Sequence, residues 1–87
     1  MLATYRVYVL QNHGGTFYVG LANDVVRRLV QHNCEVSKWT KGKGPWQLAW
    51  QSDPMNLSNA RTLELLLKRQ KRGAGFYRLT GLPRSAP

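Results

Sequence analysis

Apolar and polar positions alternate over residues 5–11, YRVYVLQ, which predicts a β-strand. The alternation sets Tyr8 with Arg6 and Leu10 on one face and Tyr5, Val7 and Val9 on the other. The run N-H-G-G that follows is a turn signal, because glycine accepts positive φ freely. Residues 16–21 predict a second strand, with Thr16, Tyr18 and Gly20 on one face and Phe17 and Val19 on the other. Paired as a hairpin, the strands bring Tyr8 and Tyr18 together. Gly20 removes a side chain from that face and leaves room for a ligand or another backbone.

The period then lengthens to that of a helix. Asn23-Asp24 is a helix start, since either side chain accepts orphan N–H bonds, and the helix runs to about residue 33. Residues 35–45 form a polar loop carrying Lys38, Lys41 and Lys43 among glycines. A third strand over residues 46–51 stops before Asp53-Pro54. Ser58 is the expected cap of a second helix reaching about residue 72, with Gly73 and Gly75 as its breakers. Residues 76–82 are expected to form a last packed turn. The predicted order is β-β-α-β-α, a small α/β fold whose three-stranded antiparallel-type sheet is flanked by helices. Residues 1–82 are expected to form one domain and residues 83–87 a flexible tail.

On a helical wheel, Val25, Val26, Leu29 and Val30 cover one face of the first helix, and Arg27 and Gln31 point away from it. Arg28 and His32, four residues apart, lie together at the border of the stripe. An arginine there has an ordinary explanation as a stem covering apolar surface, and a functional one as a held cation. In the second helix Leu57, Ala60, Leu63 and Leu67 share a face, with Glu64 at its edge. The other acidic residues suit a helix start (Asp24), an exposed loop (Glu35) and a turn before proline (Asp53). A half-buried Glu64 needs a partner: Arg28, Lys68 or a metal ion. A structural salt bridge and a ligand role both remain open on spacing alone.

Composition narrows the class of partner. The 87 residues hold 13 Lys/Arg against 4 Asp/Glu, a formal charge of +9, which favours a polyanion. The lone Cys34 excludes an internal disulfide and, with only His13 and His32 beside it, a cysteine-rich zinc site. A reducing, cytoplasmic setting is the expectation. The first residues, with Arg6 inside a short apolar run, have neither the length of a membrane span nor the layout of a signal peptide. Either tyrosine alone reads as a core residue with one hydrogen bond. Two tyrosines, a glycine gap, an Arg–His pair and one carboxylate on so basic a body point instead to phosphodiester chemistry. Such chemistry needs a divalent cation on an oxygen ligand, a base for water and a cation for the developing charge.

These residues fall into a known pattern. V-Y-V at residues 7–9, Y-V-G at 18–20, N-D-x-x-R-R-x-x-x-H at 23–32, K-W-T-K-G-K-G-P-W at 38–46 and S-x-A-x-x-x-E at 58–64 resemble, in order and spacing, the GIY-YIG nuclease superfamily. The likeness spans roughly residues 5–70 and is greatest to small single-domain bacterial members. Nucleases that cut branched DNA and the amino-terminal incision module of bacterial excision repair are related. The resemblance implies that Tyr8 acts as or assists the general base, that Tyr18 supports it, and that Arg28, His32 and Glu64 complete the catalytic set. It also implies one Mg²⁺ or Mn²⁺ held chiefly by Glu64 and water. Two departures stand out: Val7 replaces the first glycine of the signature, and the chain breaks at Gly73 where small members usually continue in helix. A protein partner or a second copy is the expected cover for a core thinned there.

The expectation is therefore a metal-dependent endonuclease hydrolysing DNA phosphodiester bonds, with branched or flexible DNA as candidate substrate and little sequence specificity. Gly20 is expected to clear space for the phosphate. Arg27, Lys38, Lys41 and Lys43 are expected to contact the backbone, giving binding that falls steeply with salt. One alternative is a non-cleaving or partner-activated nucleic-acid-binding module on the same scaffold. Another is a ribosome-associated basic protein, which would bind RNA in preference to DNA.

Overall fold

The structure is a computed structural model that describes residues 3–34, 44–70 and 73–83. Six elements follow in the order β1 (Arg6–Asn12), β2 (Phe17–Ala22), α1 (Val25–Asn33), β3 (Trp46–Gln51), α2 (Leu57–Arg69) and α3 (Ala74–Thr80). The strands form one antiparallel sheet in the order β2-β1-β3. As the middle strand, β1 is covered on both faces, and Val7, Tyr8, Val9 and Leu10 are all buried. Val7 and Val9 pack with Ala60 and Leu67 of α2 and Phe76 of α3, whereas Tyr8 and Leu10 pack with Ala22, Val25 and Trp46 beneath α1. The face assignment read from the alternation of β1 and β2 thus holds.

Strand β3 breaks its own alternation. Val9 pairs with Trp50 but Leu10 with Leu48, so Ala49 is the extra residue of a bulge. The bulge lets Ala49 and Trp50 join the Val7 face while Trp46 joins the Tyr8 face. Just past the strand, the buried Ser52 accepts a 3.0 Å bond from Val7 N through its hydroxyl, and its own N–H donates to Val7 O at 2.8 Å. A short polar side chain thereby extends the ladder where the strand has already turned away.

The helices differ from expectation in their details. Asp24 caps α1 as expected, its carboxylate accepting from Arg27 N at 3.0 Å. The cap of α2 is Asn56 rather than Ser58, with Asn59 N donating to its side chain at 2.8 Å. An asparagine two residues earlier offers the same acceptor geometry, and composition does not separate the two. The helix ends at Arg69, not residue 72, and Gly75 lies inside α3 rather than breaking a helix. Residues 76–82 are more than a last turn: α3 buries Phe76 and closes on Gly81, whose φ of 74° stops the helix. The final residues of the expected tail, 84–87, lie outside the described residues, as do Glu35, Lys38, Lys41 and Lys43.

The wheel also misjudged the buried face of α1. Val26 and Val30 stand out at 72% and 56% exposure, while Val25 and His32 are buried and Leu29 packs against the Tyr8 cluster. The helix turns its polar edge inward because His32 has a hydrogen-bond partner there, which offsets its desolvation. Gly20 departs from expectation for a related reason. It pairs across the ladder with Tyr8, and a Cβ placed on it would overlap the Tyr8 Cζ and Oη and stand 2.9 Å from Cε1. The gap is thus filled by the Tyr8 ring and is not open space for a phosphate.

Gly20→Ala is therefore expected to displace Tyr8 and cost about 1–3 kcal/mol in urea unfolding, as overpacking in a filled core does. Unchanged stability would show that the ring has somewhere else to go.

Candidate functional site

The ring of Tyr8, laid over Gly20, carries its hydroxyl to 2.9 Å from His32 Nε2. Both residues are only 1% exposed. In the tautomer with its proton on Nδ1, His32 accepts from the phenol; in the other it donates. Tyr18 lies beside both, its ring centroid 6.4 Å from Tyr8 and 4.8 Å from His32. The buried Trp46 backs Tyr18 edge-on at 6.3 Å. Four rings from β1, β2, α1 and the start of β3 thus pack into one cluster.

Asn33, the last residue of α1, ties the helix to β3. Its side-chain oxygen accepts from Trp46 N at 2.6 Å and its amide nitrogen donates to Trp46 O at 3.0 Å. The amide thereby pairs with Trp46 much as a neighbouring strand would, fixing the tryptophan on one side and the end of the His32 turn on the other. The sequence pattern gave Asn33 no role and held Trp46 only as the last residue of the lysine-rich motif. A polar side chain that pairs with a backbone thirteen residues away leaves no periodic trace.

The electrostatics follow from burial and charge. Burial pushes the Tyr8 phenol above its ordinary value; Arg28 opposes this by hydrogen bond and charge, and the nearby Tyr18 and Glu64 reinforce it. Burial holds the His32 imidazole below its ordinary value, with the Arg28 charge adding to the effect. Arg28 is half-buried and donates from Nη1 to Gln31 Oε1 at 2.7 Å. Glu64, on α2 beyond the opposite face of the sheet, has a side chain 18% exposed and an ion pair with Lys68 Nζ at 3.2 Å.

Tyr8, Tyr18 and His32 are thus packed together, with Arg28 acting on Tyr8 by hydrogen bond and on His32 by charge, whereas Glu64 acts on Tyr8 through its charge alone. His32 sits deep rather than at the stripe's border. Of the three open partners for Glu64, Lys68 forms an ion pair with it. Arg27 points outward on α1, apart from this cluster. Among the described residues no group of three His, Cys, Asp or Glu gathers to hold a metal. The donor set, a single carboxylate beside phenols, fits a hard cation that keeps most of its water and takes further oxygens from a phosphate. It does not fit a zinc site. No helix among the described residues is long and apolar enough to cross a membrane.

The sequence model for the GIY-YIG catalytic domain matches residues 4–76. A UPF0213 protein of Aeromonas salmonicida is 36% identical over 69 residues, covering 78% of this chain and 51% of that protein. A UPF0213 protein of Vibrio campbellii is 38% identical over 65 residues, covering 74% and 62% respectively. One from Streptococcus pneumoniae serotype 4 is 36% identical over 67 residues, covering 76% and 68%. The chain thus spans about half the length of the first of these relatives and about two thirds of the others. No solved structure matches.

The depressed His32 makes stability fall with acid. The unfolded histidine takes a proton near pH 6.5 while the buried one resists it, so stability is fully present above about pH 6.5. It is lost as pH drops from there through the lowered folded value. Unfolding midpoints measured at pH 7.5 and 5.5 should show this loss in the native protein and a smaller one in His32→Gln. Equal slopes would place the titration elsewhere.

Proposed function

Because this chain belongs to the GIY-YIG catalytic domain family, we propose that it is a metal-dependent endonuclease that hydrolyses DNA phosphodiester bonds with little sequence specificity, branched or flexible DNA being the substrate. The observation that carries this reading is the buried Tyr8–His32 hydrogen bond with Tyr18, Arg28 and Glu64 around it. Tyr8 is the general base. As its oxygen takes a proton from the attacking water, its own proton passes along the 2.9 Å bond to His32 Nε2, so charge does not accumulate on the phenol. Tyr18 and Trp46 hold the imidazole in place. Arg28 offers a cation for the charge that develops on the phosphate.

Glu64 would hold the divalent cation, Mg²⁺ or Mn²⁺, which supplies acidification of the attacking water and neutralisation of the phosphate. Residues 1–82 form the catalytic unit in this reading, and Arg27, Lys38, Lys41 and Lys43 contribute sequence-independent phosphate contacts. The free, exposed Cys34 is consistent with a reducing cytoplasm.

The Glu64–Lys68 ion pair favours a second reading, in which the carboxylate is structural and the domain binds nucleic acid without cutting. Glu64→Gln separates the two. An i,i+4 pair with a half-exposed lysine is worth about 0.3–0.5 kcal/mol, so the variant should keep its stability within roughly that amount. On the nuclease reading it loses Mg²⁺- or Mn²⁺-dependent nicking of supercoiled plasmid and synthetic branched DNA, which EDTA also abolishes in the native protein. Unchanged nicking would remove Glu64 from the site, and a loss of about 3–5 kcal/mol would mark a buried structural pair.

A further inference from the structure

Along the outer edge of β2 lies a cavity of about 390 Å³, lined by Thr16 just before that strand, Phe17, Tyr18 and Val19 within it, Leu67 and Lys68 of α2, and Phe76 of α3. Its size falls within the range of small-molecule pockets, about 300–1,000 Å³. The cavity adjoins the catalytic cluster at two points. Tyr18, one of its walls, is the ring beside His32, and Lys68 is the ion-pair partner of Glu64 one helical turn back. The strand residue next to Val19 is Gly20, under the Tyr8 ring.

We infer that this cavity receives an unstacked nucleobase from the nucleotide flanking the scissile phosphate. The inference rests on the nuclease reading and gives it a substrate class, strands whose bases are free to leave the stack. The half-buried Phe17 presents a ring in its wall, backed by the buried Phe76 at 5.1 Å, and base stacking on aromatic side chains tolerates any sequence. Lys68, half-exposed at the rim, meets the neighbouring phosphate, in keeping with a chain of net charge +9. A base held here keeps the strand beside Tyr8 and Glu64, whereas a continuous duplex must first unstack to reach the cavity.

The rival occupant is a peptide strand, since β2 has no strand on its outer side among the described residues. Strand addition needs a groove along the whole edge with alternating side-chain pockets. A single cavity bounded by α2 and α3, with Tyr18 as the wall it shares with the ring cluster, suits a base better.

The test is equilibrium binding in EDTA, so that cutting plays no part, using a short DNA strand and an abasic strand with the same phosphates. The native protein should bind the base-bearing strand about tenfold more tightly, the order expected for one stacked base. Thr16→Trp, an exposed position outside the catalytic cluster whose backbone bond to Asn12 survives the change, should fill the cavity mouth and erase that contrast. Independently of any variant, 2-aminopurine in the strand should change fluorescence on binding the native protein. Equal binding of the two strands with no fluorescence change would overturn the inference. Peptide-induced hydrogen-exchange protection of the β2 amides, without a base contrast, would overturn it in favour of strand addition. Base contrast in a protein that never cuts DNA would sink the nuclease reading and leave the cavity's ligand standing; cutting without contrast would do the reverse.

Discussion

A phenol and an imidazole held 2.9 Å apart in a place almost closed to water govern much of the rest of this molecule. Buried polar groups are costly unless they find partners, and each of these finds the other. Their pairing dictates the rotation of α1, which exposes two valines in order to bury a histidine. It also explains the glycine opposite Tyr8: any side chain at position 20 would occupy the volume the phenol needs to reach His32. A small chain forgoes apolar burial at two positions of α1 for the sake of this one contact.

The sheet supplies the frame. Burying β1 on both faces lets a single strand anchor two clusters, one that stabilises the body and one that carries the polar group. The bulge at Ala49 gives β3 a share in each, sending Trp50 to the first and Trp46 to the second. Asn33 then fixes Trp46 to the end of α1. Glu64 stands on the helix of the other face, where it pairs with Lys68. The cavity along β2 takes one wall from the ring cluster, Tyr18, and another from the ion pair, Lys68.

Much of this was legible in the sequence, for physical reasons that differ by element. Strict alternation in β1 and β2 has one geometric meaning, and the pairing of Tyr8 and Tyr18 on one face followed from it. Of the residues in the family pattern, Tyr8, Tyr18 and His32 pack against one another. Periodicity failed where a polar group is buried by choice: on the α1 wheel, hydrophobicity pointed to Val26 and Val30, and His32 was left at the margin. The role of Gly20 inverted for a similar reason, since a missing side chain does not say what fills the space. Asn33, Ser52 and the Ala49 bulge act through the backbone of distant residues, and such contacts carry no local signature.

Tyr8→Phe keeps the ring that fills the space over Gly20 and deletes only the oxygen that meets His32. Metal-dependent nicking of supercoiled plasmid by this variant, beside the native protein, is the most direct test of the central claim. The account predicts a folded protein, shown by a cooperative melt, that no longer nicks. A folded Tyr8→Phe protein that nicks at the native rate would contradict it, and the buried phenol would then be a packing device alone.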